Sequence, residues 1–156
     1  MHSTKKSNLK PGELNGTVLA YLGDAIIELM GRERALLSGI TDVGRLNAAV
    51  SSFVRATAQS DAALRVEPYL TDEEKAVYKR GRNAHGLTVP KSASVSQYRR
   101  STGLEALFAW LYLNEKRERM HELFDMAFYT DNTDNTDNDK ANNNIEATEN
   151  GGNGQR

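Results

Sequence analysis

Apolar side chains near the start of the chain recur with the spacing of an amphipathic helix. Six of them share one stripe: Leu14, Val18, Leu22, Ala25, Ile26 and Leu29. Because residues three and four apart lie on the same face of a helix, this pattern predicts a first helix whose stripe faces the core. Pro11 and Gly12 mark its start, and Gly39 follows its predicted end near Ser38.

Two further helices are predicted before residue 83. Thr41 is the candidate N-cap of a second helix, and apolar residues at spacings of three and four extend that helix to Val66. Thr71 and Glu74 have the spacing of a capping box. This motif predicts a short helix that ends near Arg82.

The most apolar part of the chain predicts the last two helices. It begins at either Val95 or Ser101 and runs to Tyr129, and the charged residues 114–119 lie at the junction between the two helices. No segment of useful length alternates apolar and polar residues, as a half-buried strand would. We therefore predict an all-α domain built as a helical bundle.

The two ends of the chain differ in composition from its middle. Residues 1–10 are polar and basic and predict a flexible N-terminal arm, while the Asn- and Asp-rich residues 130–156 predict a disordered tail. Residues 11–129 suffice for one domain with its own core. The longest apolar run has six residues, too few to cross a bilayer, so no membrane partner is expected. The lack of cysteine excludes disulfides and fits a reducing compartment.

Charge is distributed unevenly along the chain. The formal net charge is −1, but six acids and two bases lie in residues 130–156, which leaves 18 bases against 15 acids elsewhere. No Asp or Glu occurs between Glu74 and Glu105, and this acid-free segment includes residues 83–96, which we predict to form a mobile loop. Such a stretch suits a phosphate-rich partner. The candidate residues for binding such phosphates are Lys79, Arg80, Arg82, Lys91, Arg99 and Arg100.

A carboxylate stands inside the apolar first helix. Asp24 lies off the apolar stripe, directly after Gly23, with Glu28 one turn further on. One interpretation is that Asp24 and Glu28 form the solvated side of the helix. The other is that Asp24 lies in a polar site, where a partner, a proton or a metal ion offsets the cost of burial.

Glu105 is a second carboxylate in an apolar helix. Thr102 stands three residues earlier, so one interpretation is a capping box at the start of that helix. If the helix begins further upstream, Glu105 lies in mid-helix and is free to face Asp24. Two facing carboxylates next to a basic segment would suit Mg²⁺, which completes its shell with water and phosphate oxygens. That arrangement predicts metal-assisted phosphodiester hydrolysis with Asp24 and Glu105 as catalytic metal ligands.

Other hydrolytic chemistries find no support in the sequence. The three histidines, His2, His85 and His121, lie in polar or loop segments and suggest no Ser-His-Asp arrangement. Gly81 and Gly86 lack the lysine and the strand context of a phosphate-binding loop.

Several segments resemble the catalytic domain of the ribonuclease III family, and its Mini-III subgroup in particular. Residues 21–28 (YLGDAIIE) are similar to the family's signature helix, and residues 104–107 (LEAL) with 111–113 (LYL) are similar to its second metal-binding helix. The features shared with Mini-III are residues 14–16 (LNG), 79–84 (KRGRNA), 90–91 (PK), 98–99 (YR) and 101–106 (STGLEA). The resemblance covers about residues 14–128.

This resemblance implies a fold, a reaction and a set of partners. It implies a homodimeric ribonuclease III helical bundle that cuts double-stranded RNA with Mg²⁺, or with Mn²⁺ as a substitute, each protomer cutting one strand. Asp24 and Glu105 correspond to metal ligands of the family. The Mini-III subgroup further implies maturation of the ends of precursor 23S ribosomal RNA in the bacterial cytoplasm, with a large-subunit ribosomal protein as a helper.

The chain departs from the larger members of the family. Ala20 and Thr102 occupy positions where those members carry two further carboxylates. The resemblance therefore implies one well-held ion per protomer, or a second ion held mainly by RNA. Glu28 and Thr102 remain as candidates for supporting the metal ligands. The tail is not expected to form a double-stranded-RNA-binding domain, so the catalytic domain would bind RNA by itself or with the helper.

Two other functions stay open from the residues alone. A non-catalytic helical module that binds RNA or the ribosome would keep the fold without the chemistry, although the presence of both Asp24 and Glu105 argues against it. A helical metal-dependent nucleotide hydrolase would also carry carboxylates on packed helices, but it would leave the basic loop without a purpose.

Overall fold

The computed structural model describes residues 10–86 and 88–129, and within these residues the fold is all-α. Its helices are α1 (Gly16–Leu37), α2 (Val43–Val54), α3 (Ala56–Val66), α4 (Asp72–Arg82), α5 (Val95–Leu113) and α6 (Arg117–Phe128). Single 3-10 turns lie at Pro11–Glu13 and Glu67–Tyr69. No strand occurs in the described ranges, which confirms the predicted fold class. The predicted tail, and the predicted arm apart from Lys10, lie outside the described residues.

Helix α5 is the centre of the bundle. It packs against α1, α3, α4 and α6, and Leu104, Leu107, Phe108 and Leu111 are completely buried. A helix that is apolar around most of its circumference must be enclosed by others, because every face carries surface that water disfavours. Glu105 is a charged residue within this buried stretch, and its surroundings therefore determine its chemistry.

Glycines allow two helices to cross α5 at very short range. A Cβ at position 23 of α1 would overlap the backbone carbonyl of Glu105, and a Cβ at position 81 of α4 would press on Thr102 and Ala106. Only glycine leaves room for this approach of one backbone to another. Gly23 therefore places its neighbour Asp24 directly beside the turn of α5 that carries Glu105.

The buried face of α1 differs from the predicted one. Of the six residues in the predicted stripe, only Ile26 is buried, and Val18 and Leu29 are 49% and 63% exposed. The core contact is made instead by the opposite side of the helix, where Leu19, Ile27 and Gly23 lie. Helix α1 is apolar on two sides, and periodicity alone does not tell which side meets the rest of the chain.

The second predicted helix is in fact two helices. Arg55 has an extended backbone (φ −68°, ψ 139°) and separates α2 from α3. No Gly or Pro marks this break in the sequence. The break lets α2 pack on α1 while α3 packs on α5. The N-cap of α2 is Asp42 rather than Thr41, since the Asp42 carboxylate accepts from the Arg45 backbone N–H at 2.9 Å.

Two capping boxes set the starts of α4 and α5. The predicted box of Thr71 and Glu74 is confirmed, and buried Glu74 also accepts two hydrogen bonds of 2.9 Å from Arg119 of α6. The box of α5 is formed by Ser94 and Gln97, so this helix begins at Val95, the earlier of the two predicted starts. Helix α1 begins later than predicted, with Asn15 as its N-cap.

None of the helices in the described ranges combines the length and the apolar character needed to span a membrane.

Candidate active site

Glu105 lies in the middle of α5, ten residues after its first residue. The interpretation of Glu105 as a capping residue is therefore wrong, because Ser94 and Gln97 cap this helix. The buried Thr102 hydroxyl donates instead to the backbone carbonyl of Tyr98, one turn earlier, at 2.9 Å. Freed from any capping role, Glu105 faces the crossing with α1.

Asp24 and Glu105 line one open cleft of about 550 Å³ between α1 and α5. The walls of this cleft are formed by Thr17, Ala20, Tyr21, Leu22, Asp24, Ala25, Tyr98, Thr102 and Glu105. Small side chains at positions 20 and 25 leave room around the two carboxylates. The cleft thus places two carboxyl groups in a largely apolar lining that is open to solvent.

The pKa of each of the two carboxyl groups is raised. Burial, and then the nearby charge of Asp24, raise the pKa of Glu105 from 4.5 to about 8. Asp24 is exposed over much of its surface, yet partial burial of its carboxyl group raises its pKa, and the charge of Glu28 adds to this. Within the described chain neither carboxylate forms an ion pair. A bound cation would reverse these shifts, because it favours the charged forms.

The donor set fits a hard divalent cation. Asp24 and Glu105 supply oxygen ligands, and Mg²⁺ commonly uses one or two protein carboxylates together with water and substrate phosphate. No third His, Asp or Glu joins them as a metal-binding group in residues 10–86 and 88–129. The protein therefore contributes few ligands, and water and substrate must supply the others.

Only one of the two residues predicted to support the metal ligands lines the cleft. Thr102 lines the cleft, but its hydroxyl is engaged with the Tyr98 carbonyl. Glu28 lies outside the cleft lining and pairs with Arg32, one turn along α1, at 2.5 Å. Glu28 therefore acts on Asp24 through its negative charge rather than by contact.

The structure adds two residues that the sequence analysis missed. Tyr98 lines the cleft, and burial together with the charges of Glu105 and Asp24 raises its pKa. Its position seven residues before Glu105, two turns along the same helix face, was an available signal. Gln59 of α3 is 1% exposed and lies beside the Glu105 side chain. No sequence signal pointed to Gln59, because the packing of α3 on α5 decides its position.

The predicted RNA-binding residues fall into two groups. Arg82, Arg99 and Arg100 line a second pocket of about 520 Å³ between α3, α4 and the start of α5, and Lys79 and Lys91 are exposed. The second group forms hydrogen bonds within the fold and consists of Arg80 and of Arg100, which also lines the pocket. Arg80 donates to the carbonyls of Gly12 and Leu14, at 2.5 and 2.8 Å, and Arg100 donates to the hydroxyls of Ser60 and Ser96, at 2.8 and 2.7 Å.

Known proteins match both the sequence and the fold. The family described as Ribonuclease III domain matches residues 17–116. Proteins named Mini-ribonuclease 3 from Symbiobacterium thermophilum and Enterococcus faecalis are 44% and 41% identical, over 75% and 72% of this chain and 90% and 87% of their own lengths. A crystal structure of a Fusobacterium nucleatum protein is 33% identical and covers 76% of this chain and 96% of its own, with a TM-score of 0.70. The chain therefore belongs to the ribonuclease III family, in its Mini-ribonuclease 3 group.

Proposed function

We propose that this ribonuclease III-type endoribonuclease cleaves double-stranded RNA at a divalent metal ion bound by Asp24 and Glu105. One observation carries the proposal: the crossing of α1 and α5 puts both carboxylates into one open cleft, and neither has an ion-pair partner among the described residues. Two such groups resist being charged together until a cation arrives. The catalytic unit is residues 11–129, flanked by an arm (1–10) and a tail (130–156).

The metal ion is Mg²⁺, with Mn²⁺ as a substitute. Family members generally depend on a divalent metal. When bound, the ion lowers the pKa of a coordinated water and neutralises charge on the phosphate. Asp24 and Glu105 hold the ion from two rigid helices, while Glu28 adds negative charge near Asp24. Thr102 and Tyr98 shape the cleft wall beside them.

The substrate is the duplex end region of precursor 23S ribosomal RNA, in the cytoplasm. The family acts on double-stranded RNA, and the relatives named Mini-ribonuclease 3 support this finer assignment. A large-subunit ribosomal protein serves as a helper. Arg82 and Arg99 of the second pocket, together with the exposed Lys79 and Lys91, bind RNA phosphates, while Arg100 lines this pocket and bonds to Ser60 and Ser96. Contacts of this kind read the shape of the A-form backbone rather than the base sequence.

The exposed stripe of α1 is the contact of a homodimer. Val18, Leu29 and Tyr21 are 49%, 63% and 86% exposed, on the side of α1 that faces away from the core. Large apolar side chains grouped on one face mark an interaction surface. A twofold dimer suits a duplex, whose two strands run antiparallel and are related by a local twofold axis. Each protomer then cuts one strand.

Replacing either carboxylate by its amide should abolish catalysis and preserve the fold. Asp24→Asn and Glu105→Gln each remove a formal charge at the ion, so we expect duplex RNA cleavage to fall by orders of magnitude. Because both residues act on one ion, the double variant should be little worse than either single variant. Cleavage of a long RNA duplex with Mg²⁺ or EDTA, alongside circular dichroism, provides the measurement. Normal cleavage by either variant at saturating Mg²⁺ would refute the site.

Metal binding should depend on pH through Glu105. Because the pKa of Glu105 is about 8 in the metal-free protein, the ion must displace a proton below that pH. The apparent Mg²⁺ affinity should therefore rise by up to about tenfold per pH unit, for one proton displaced, and level off above pH 8. The Mg²⁺ concentration for half-maximal cleavage, measured from pH 6 to 9, tests this. A flat profile from pH 6 to 8 would contradict it.

The metal-free protein provides a control for this pH dependence. A carboxyl group whose pKa is raised on folding keeps its proton in the folded state, so its stabilising effect is complete below about pH 4.5 and is lost as the pH rises through about 8. Wild-type stability in EDTA should decline over this range relative to that of Glu105→Gln. Denaturation midpoints at several pH values measure the difference.

A charge placed in the exposed stripe of α1 should separate the dimer. Leu29→Lys puts a cation where an apolar contact is proposed, so we expect a monomer with unchanged helix content. Leu64→Lys is the matched control, because Leu64 is 50% exposed on α3, away from the stripe. Sedimentation at micromolar concentration should show a dimer for the wild type and for Leu64→Lys only. A wild-type monomer that still makes paired cuts would rule out this arrangement.

Neutralising the basic segment should weaken duplex binding and flatten its salt dependence. The triple change Arg82→Gln, Lys91→Gln and Arg99→Gln leaves the structurally bonded Arg80 and Arg100 intact. Each lost phosphate contact should reduce the slope of log affinity against log salt by about 0.9, by analogy with B-form DNA. The control is the same loss of charge at Arg45, Arg55 and Arg117, outside the segment. Equal slopes for the two triple variants would show that residues 79–100 have no special part in binding.

A further inference from the structure

Gln59 is an unusual residue in the core. Its side chain is 1% exposed on α3, yet both its amide nitrogen and its amide oxygen lack a hydrogen-bond partner in the described part of the chain. A buried amide without partners destabilises a fold, because it has lost its bonds to water and gained none. Stability therefore does not explain why a glutamine occupies position 59.

The surroundings of Gln59 point to the cleft. Helix α3 packs along α5, and the next residue, Ser60, accepts a hydrogen bond of 2.8 Å from the Arg100 side chain of α5. The Gln59 amide lies close enough to the Glu105 carboxyl group to oppose the rise of its pKa, although the pair falls short of a full hydrogen bond. Gln59 thus approaches Glu105 from α3, whereas Asp24 approaches it from α1.

An apolar residue would serve the packing of α3 better. The other buried residues of α3 are Ala62, Ala63, Val66 and the hydrogen-bonded Ser60, and no polar network among the described residues includes the Gln59 amide. Leu or Met would fill a similar volume without unpaired polar atoms. Natural sequences keep unpaired polar atoms in the core mainly where a function requires them.

We propose that Gln59 is the positioning residue of Glu105: its amide nitrogen donates to the Glu105 carboxylate and holds it in the orientation that binds the metal ion. This inference rests on the metal site proposed above. A carboxylate has two oxygens, so one accepts from the amide while the other remains for the ion. An amide suits this place, because a Lys or Arg would bring a positive charge beside the cation. The bond forms fully only when the ion is bound, which leaves the amide unpaired without it.

The test measures metal binding without RNA or catalysis. Mn²⁺ is titrated into the full chain and the free ion is followed by electron paramagnetic resonance, for the wild type and for Gln59→Leu, Gln59→Met, Ser60→Ala and Asp24→Asn. Loss of a residue that orients a metal ligand typically weakens affinity by about tenfold to a hundredfold, and we expect this for both Gln59 variants. Ser60→Ala removes an equally buried polar group that bonds between α3 and α5 away from the ion, and it should bind Mn²⁺ like the wild type.

Thermal melting in EDTA separates positioning from a structural role. Gln59→Leu removes unpaired buried atoms, so its melting temperature without metal should equal or exceed that of the wild type, while its stabilisation by Mn²⁺ shrinks. Gln59→Met keeps the length of the side chain and provides the same comparison if Leu packs poorly. Wild-type Mn²⁺ affinity in both Gln59 variants would overturn the assignment of Gln59 alone. Wild-type affinity in Asp24→Asn would overturn the proposed metal site, and this assignment with it.

Discussion

The close crossing of α1 and α5 at Gly23 is the contact on which the site depends. The backbone of α1 lies against the Glu105 carbonyl because position 23 has no side chain, and any larger residue would push the helices apart. Since Asp24 follows Gly23 directly, the same contact sets the separation of the two carboxylates. Packing and chemistry therefore share one constraint, and the cleft exists only while the two helices touch.

This contact brings two groups of like charge close together in a partly buried site, where their charged forms are disfavoured. Glu105 lies among buried apolar residues of α5, and its pKa of about 8 reflects burial first and the charge of Asp24 second. In its charged form such a pair destabilises the folded protein, and Gln59 adds an unpaired amide close by. Such local costs are typical of places where a protein keeps a function, and a divalent cation is the species that would offset them together.

The arginines of the basic segment differ in how far the fold engages them. Arg80 ties the segment before α1 to α4, and Arg100 ties α3 to α5, while Arg82 and Arg99 line an open pocket. Helix α1 likewise differs between its two sides. One side carries Leu19 and Ile27 into the core, and the other presents Val18 and Leu29 to the surroundings.

The sequence by itself determined the fold class, the capping box at Thr71 and the family, and it indicated the two carboxylates as site candidates, because these depend on local periodicity and on short motifs. Tertiary structure decided what local pattern leaves open. The packing of the helices determines which apolar side of α1 meets the core and divides the second predicted helix at Arg55. It also places Gln59 next to Glu105. It also removed Glu105 from a capping role, because Ser94 starts α5 earlier. The periodicity of a helix shows which residues share a face. Only the packing of all the helices decides what each face contacts.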